Sequence, residues 1–187
     1  MIRIENISAG YGGKAIVEGF SRTVEAGECI LLSGRNGSGK TTLMKTLAGV
    51  LKPLSGSLPA AKIVMVPTRI PKVKGFTVRE FVALSAGDLP AVEEALKILG
   101  IEDLAGRDIA TLSDGQFQKA CIATALTRRA GLILLDEPTA FLDTENRIQV
   151  LEAIKRAART SGSSILFSSH DLYDARKVAD REISLTS

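Results

Sequence analysis

The stretch GECILLSGRNGSGKTTLM (27–44) decides the architecture. Its first half places four apolar residues in a row, Cys29, Ile30, Leu31 and Leu32, the pattern of a short strand buried on both faces. Its second half, GRNGSGKT (34–41), satisfies G-x-x-x-x-G-K-[ST] at every fixed position. A strand, then a glycine-rich turn, then a helix is the order that a phosphate-binding loop requires. Gly34, Gly37 and Gly39 let the backbone turn tightly and bring N–H groups against phosphate oxygens, with Arg35, Asn36 and Ser38 between them. The helix that follows directs the partial positive charge of its N-terminus at the same anion. Lys40 supplies a full charge for the β- and γ-phosphates, the Thr41 hydroxyl a ligand for Mg²⁺, and Thr42 a further donor to the α-phosphate. The octet predicts a nucleoside triphosphate site without saying which kind of NTPase carries it.

Reading outward, residues 2–8 and 15–24 alternate apolar and polar, as in two strands of an antiparallel element. The helix after the loop is predicted from Thr41 to Leu51, with Leu43, Met44, Leu47, Val50 and Leu51 on one face and Pro53 and Gly56 ending it. Residues 62–66 read as a short strand stopped by Pro67. From 77 to about 129 the periodicity is helical, as in Val92, Leu96 and Leu99, with Gly100 as a stop. GLILLDEP (131–138) and SSILFSSH (163–170) return to buried strands. Ile148, Leu151, Ile154 and Ala158 mark a helix between them, and a short helix and a strand near 181–186 close the pattern. The whole predicts one α/β domain over 1–187: a P-loop NTPase core with a mainly parallel sheet, an N-terminal antiparallel β element, and a short helical subdomain inserted at about 77–129.

Composition narrows the partners. The 24 Lys and Arg against 21 Asp and Glu leave a net charge of only +3, scattered along the chain, so no basic stripe for nucleic acid is expected. No apolar run approaches the roughly 18 residues of a membrane span, which predicts that any membrane is reached through a partner. Cys29 and Cys121 lie in apolar stretches and read as buried, reduced thiols of a cytosolic protein.

Four further segments stand in a telling order after the phosphate loop: LSDGQ (112–116), LILLDEP (132–138), FLD (141–143) and His170 at the end of a strand. With GRNGSGKTT they make the chain resemble the ABC ATPase family over nearly its whole length. That resemblance implies an ATP-hydrolysing transport subunit, cytoplasmic and peripheral on the inner face of the membrane through a permease. It also implies a head-to-tail dimer of two copies, with each ATP and its Mg²⁺ held on one phosphate loop and capped by the partner's LSDGQ. In that scheme Asp136 helps hold Mg²⁺, Glu137 is the general base for the attacking water, and His170 is the switch histidine at the γ-phosphate. Ser113, Gly115 and Gln116 face the partner's nucleotide, Asp143 links the two sites, and Tyr11 stacks on adenine. The LSDGQ form is most similar to importers of iron–siderophore, haem and cobalamin complexes. A small haem-exporting type, a soluble ABC ATPase and a dimerisation switch are the alternatives.

Simpler roles coexist with some of these. Ser113 and Gln116 have the spacing of a helix capping box, and Asp143 that of an N-cap. Asp114 stands where the family usually has glycine, and a carboxylate beside a phosphate is expected to point outward. Thr68 stands where the family carries a glutamine that touches Mg²⁺ or the attacking water, and the segment from Thr68 to Leu112 is short for the family.

Overall fold

The computed structural model describes residues 1–86 and 88–185. The chain opens on a hairpin of β1 (Ile2–Tyr11) and β2 (Lys14–Val24), antiparallel from Ile2 opposite Val24 to Tyr11 opposite Lys14, with register shifts between Ile4 and Gly10. Gly12 and Gly13 form its turn, both at positive φ, which a two-residue turn matched to strand twist requires. β3 (Cys29–Gly34) leads through the glycine-rich loop into α1 (Lys40–Leu47). The three residues of β4 (Ser55–Ser57) then add to the free edge of β1, giving an antiparallel sheet in the order β2-β1-β4. β5 (Ile63–Val66) follows.

Three helices come next: α2 (Val78–Ala83), α3 (Leu89–Leu99) and α4 (Asp114–Leu126), with 3₁₀ turns at Glu102–Leu104 and Ile109–Thr111. β6 (Leu132–Leu135), α5 (Thr144–Ser161), β7 (Ser164–Ser168), α6 (Leu172–Val178) and β8 (Arg181–Leu185) complete the chain. The second sheet runs β5-β6-β7-β3-β8 with every neighbouring pair parallel.

The central strands β3, β6 and β7 are buried on both faces because each face has its own cover. Leu31, Ile133, Leu135, Ile165 and Phe167 point toward the helical side, packing with residues of α3, α4 and α5 such as Leu96, Ile122 and Ile154. Ile30, Leu32, Leu132, Leu134 and Leu166 point the other way, against α1 and the antiparallel sheet at Leu43, Met44, Ile7 and Phe20. Each such side chain contributes about 1.5–3 kcal/mol on burial, which is why neither face of the central strands tolerates polar alternation. Cys29 and Cys121 are buried as expected, and burial pushes both thiols up to about 12.

Two expectations need correction. α1 stops at Leu47, four residues short of the predicted Leu51, because Gly49 takes a left-handed φ of 73° immediately after the Ala48 cap. Val50 consequently leaves the buried face and is 67% exposed. Ile148, read as part of the apolar stripe of α5, is also exposed, while Leu151, Ile154 and Ala158 are buried.

Candidate functional site

The parallel strands all end on one edge, and the loops that leave it carry the chemistry, as expected for a crevice at the carboxyl ends of an α/β sheet. β3 delivers Gly34, β5 delivers Thr68, β6 delivers Asp136 and Glu137, and β7 delivers Ser168 and His170. A cleft of about 530 Å³ is lined by Ile16, residues 36–42, Thr68, Glu137 and His170. The segments that the sequence separates by more than a hundred residues thus meet in one place.

The loop is shaped for close approach. Gly34, Gly37 and Gly39 have φ of 151°, 82° and 92°. A Cβ on Gly34 would sit 2.5 Å from Ser38 Oγ and 2.9 Å from the Leu185 carbonyl oxygen, and one on Gly39 only 2.6 Å from Val17. Lys40 is buried, and its ammonium donates to the Gly34 and Arg35 carbonyls at 2.8 and 3.3 Å, which folds the loop around its own cation. Thr42, two residues along, is buried, and its carbonyl accepts from the Thr46 hydroxyl one turn later.

Across the cleft, Asp136 receives two hydroxyls. Thr41 Oγ1 donates to its carboxylate at 2.9 and 3.1 Å, and Ser168 Oγ donates at 3.1 Å. The same Ser168 oxygen accepts the Glu137 backbone N–H at 2.9 Å, so one serine holds the Asp136 carboxylate and the Glu137 backbone. Glu137 has a φ of 50°, a left-handed conformation that a non-glycine residue adopts only where the surroundings enforce it. Its Oε1 is buried without a hydrogen-bond partner, and His170 Nε2 lies 3.5 Å away. Burial raises the Glu137 carboxyl above its ordinary range, while His170 and Lys40 partly offset that and Asp136 adds to it. Such a carboxylate is poised to take a proton.

Thr41 and Asp136 also meet the requirements of a hard divalent cation. Mg²⁺ takes one or two protein oxygens and completes its shell with phosphates and water. The Thr41 hydroxyl and Asp136 carboxylate, already in contact beside the loop, are such a pair. His170 is followed by Asp171, which pairs with Arg147 of α5, and Arg147 reaches the Leu142 carbonyl. A neighbouring cavity of about 650 Å³ shares Thr68, Glu137 and His170 and is walled by Ala140, Phe141 and Arg147. Arg69, next to Thr68, stacks its guanidinium 4.7 Å from the Phe141 ring centroid.

Other predicted residues lie elsewhere. Tyr11 sits half exposed at the hairpin tip and is not in the cleft wall; Ile16, on the strand returning from that tip, is. Ser113 caps α4 by accepting the Gln116 N–H at 3.2 Å, and Gln116 Oε1 accepts the Ser113 N–H at 3.1 Å, so the capping box is real. Gly115 lets α4 approach α5: a Cβ there would be 2.7 Å from Asn146 Oδ1. Asp143 caps α5 through the Asn146 N–H at 2.8 Å, and that bond holds its carboxyl below the ordinary range. Ser113, Gly115, Gln116 and Asp143 therefore stand outside the chain's own cleft. Asp114 points outward as expected, 71% exposed and paired to Lys72 at 2.7 Å. Ser168, Ile16, Arg147 and Lys72 were not singled out in the sequence. Only the serines inside the apolar run SSILFSSH offered a signal.

Known proteins resemble this chain in sequence and in fold. The ABC transporter family model matches residues 17–140. The chain is 36% identical over 194 residues to the zinc import ATP-binding protein ZnuC of Jannaschia sp. (strain CCS1), covering 99% of this chain and 79% of that one. It is 34% identical over 214 residues to the hemin import ATP-binding protein HmuV of Bradyrhizobium diazoefficiens, covering 100% and 80%. A solved metal-chelate type ABC transporter in an inward-facing conformation superposes with a TM-score of 0.86 at 27% identity, over 99% of this chain and 79% of that one.

Proposed function

This chain belongs to the ABC transporter family as an ATP-binding, ATP-hydrolysing subunit coupled to transport, and from that premise we propose that it powers uptake of a metal ion or metal complex through a membrane permease. The observation that carries the hydrolytic part is the convergence at one strand edge of the Lys40 loop, the Thr41–Asp136–Ser168 cluster and the strained Glu137 beside His170. Two copies bind head to tail. Each phosphate loop holds one ATP, and the partner's α4 N-terminus, with Ser113, Gly115 and Gln116, caps it.

In this reading the amides of residues 34–42 and the Lys40 ammonium hold the triphosphate. Tyr11 stands beside the adenine at the hairpin tip. Thr41 and Asp136 hold Mg²⁺, which when bound neutralises phosphate charge. Glu137 Oε1 takes the proton of the attacking water, and His170 faces the γ-phosphate. Thr68 borders the water, and Asp143 connects the two sites. The helices between 77 and 129 form the subdomain that meets the permease, which places the chain on the cytoplasmic face of the membrane. No helix among the described residues is long and apolar enough to cross a membrane, which supports contact through a partner. The zinc import and hemin import relatives and the metal-chelate type neighbour support a cargo of zinc, haem or another metal chelate, the class to which siderophore and cobalamin complexes belong.

Lys40→Ala tests the motor. One preorganised cationic donor at a developing charge is worth roughly 10²–10³ in rate, so steady-state MgATP hydrolysis should fall by that factor, and near-normal turnover would overturn the assignment. In cells carrying only that variant, uptake of labelled zinc or of a labelled iron or cobalt chelate should fall in parallel. Unchanged uptake of all of them would overturn the cargo reading alone.

A further inference from the structure

Asp114 opens α4, in the turn that the shared-site reading turns toward the partner's nucleotide. A helix N-terminus carries roughly +0.5 of an elementary charge, and a carboxylate in its first turn brings −1. Taken together these leave a net negative end, the wrong sign for receiving a triphosphate. Lys72 reverses the balance. Its ammonium donates to Asp114 Oδ1 at 2.7 Å and to the Leu112 carbonyl at 2.8 Å, and it lies 5.6 Å from the centroid of the buried Phe117 ring. The lysine is the better anchored partner, with a side chain 28% exposed against 71% for Asp114. Adding +1 returns the helix end to about the charge of an unmodified N-terminus.

The second bond matters as well. Leu112 immediately precedes the cap Ser113, so holding its carbonyl fixes the entry of the chain into α4. Lys72 lies four residues beyond Thr68, which lines the chain's own cleft. Residues 68–72 therefore run from the site that binds this chain's nucleotide to the surface that caps the partner's.

We propose that Lys72 is a positioning residue of the capping half-site: by neutralising Asp114 and holding Leu112 it lets the N-terminus of α4 engage the triphosphate bound to a second copy of this chain. The inference rests on the shared-site reading given above. Lys72 touches neither substrate nor metal; it acts through Asp114 and the Leu112 carbonyl.

The test is the dissociation constant of the MgATP-induced dimer, measured by sedimentation in a Glu137→Gln parent that hydrolyses slowly. Lys72→Met keeps the aliphatic stem and removes the charge. An ion pair of this exposure is worth about threefold, and a symmetric dimer holds two of them, so the dimer should weaken about tenfold. Affinity of the monomer for a fluorescent ATP analogue should not change. Adding Asp114→Asn to Lys72→Met removes the orphaned carboxylate and should restore the dimer to within about threefold of the parent. A lysine that merely supported the fold would not be rescued in this way. A Lys72→Met dimer as tight as the parent's, or one that Asp114→Asn leaves equally weak, would overturn this inference while the parent's dimer still stands. A parent that stays monomeric with MgATP would overturn the shared-site reading, and this inference with it.

Discussion

The phosphate loop and the LSDGQ turn are the two halves of the proposed ATP site, and their local physics differs sharply. Around the loop the backbone is bent into positive φ at Gly34, Gly37, Gly39 and Glu137, and Ser38 Oγ and Glu137 Oε1 are buried without partners. Around LSDGQ the polar groups are matched: Ser113 and Gln116 bond each other, and Lys72 holds Asp114. Unpartnered buried oxygens and enforced backbone strain cost stability, and they persist where a ligand or a reaction uses them. The loop side is thus organised for chemistry within the chain. The capping side is locally complete, so what it offers is an oriented helix end, which functions only when something is brought to it.

If that contrast holds, the largest effect belongs to the strained side. Glu137→Gln keeps the shape and removes the base, and general-base catalysis is worth roughly 10²–10⁴, so turnover should fall by that much while ATP affinity persists. Because burial raises the Glu137 carboxyl, the acid limb of the parent's pH–rate profile should lie above the ordinary glutamate value of about 4.3. The same shift acts on stability. The folded chain holds this proton more tightly than the unfolded one, so ionisation weakens the fold as pH rises through the raised value. Glu137→Gln should therefore melt above the parent at neutral pH, by a few degrees at most, since about 1 kcal/mol moves Tm by about 2–4 °C at this length. The gap should close once pH falls below the unfolded carboxyl's value. A variant that hydrolyses normally would remove Glu137 from the base's role, and one that melts lower at neutral pH would contradict the raised carboxyl.

Thr68 lies between the extremes, on the wall that the cleft and its neighbouring cavity share. A threonine offers one hydroxyl on a stiff stem, whereas a glutamine amide reaches farther and both donates and accepts. Thr68→Gln should raise turnover by about tenfold at most, which corresponds to 1.4 kcal/mol, and leave ATP affinity nearly unchanged. Matched ATPase and binding titrations check it. A slower variant would mean that the wall is fitted to threonine.

The smallest effect should come from the capping side. Gly115→Ala would set a methyl 2.7 Å from Asn146 Oδ1, so the Asn146 side chain must swing aside or α4 must shift from α5. Overpacking costs about 1–3 kcal/mol, and alanine returns up to about 1 kcal/mol of helix propensity. A net loss of about 1 kcal/mol, a Tm lower by about 2–4 °C, is expected in the isolated chain. An unchanged or higher Tm would show that the α4–α5 contact yields freely.

How legible this was in the sequence follows the same division. The loop could be read because its chemistry lies in consecutive residues, GRNGSGKT, and the parallel strands because Cys29–Leu32 and Leu132–Leu135 are apolar without interruption. Asp136 and Glu137 announced themselves as acids ending such a strand. Ser168 did not, because its role depends on β7 lying beside β6, which no local pattern encodes. Lys72 and Asp114 are 42 residues apart and meet only through the fold. β4 escaped because all three of its residues are exposed, leaving no periodicity to detect. The end of α1 was overrun because Val50 and Leu51 continue the apolar rhythm, although Gly49 had already broken the backbone.

The central claim is that one ATP is held by two chains, and the mass of the Glu137→Gln protein in solution tests it most directly. With MgATP, light scattering should report twice the 19.8 kDa chain, with ADP the single chain, and adding Ser113→Arg should abolish the ATP-dependent doubling by obstructing the helix end. A Glu137→Gln protein that stays at 19.8 kDa with saturating MgATP, or a Ser113→Arg form that dimerises as readily, would contradict the shared site.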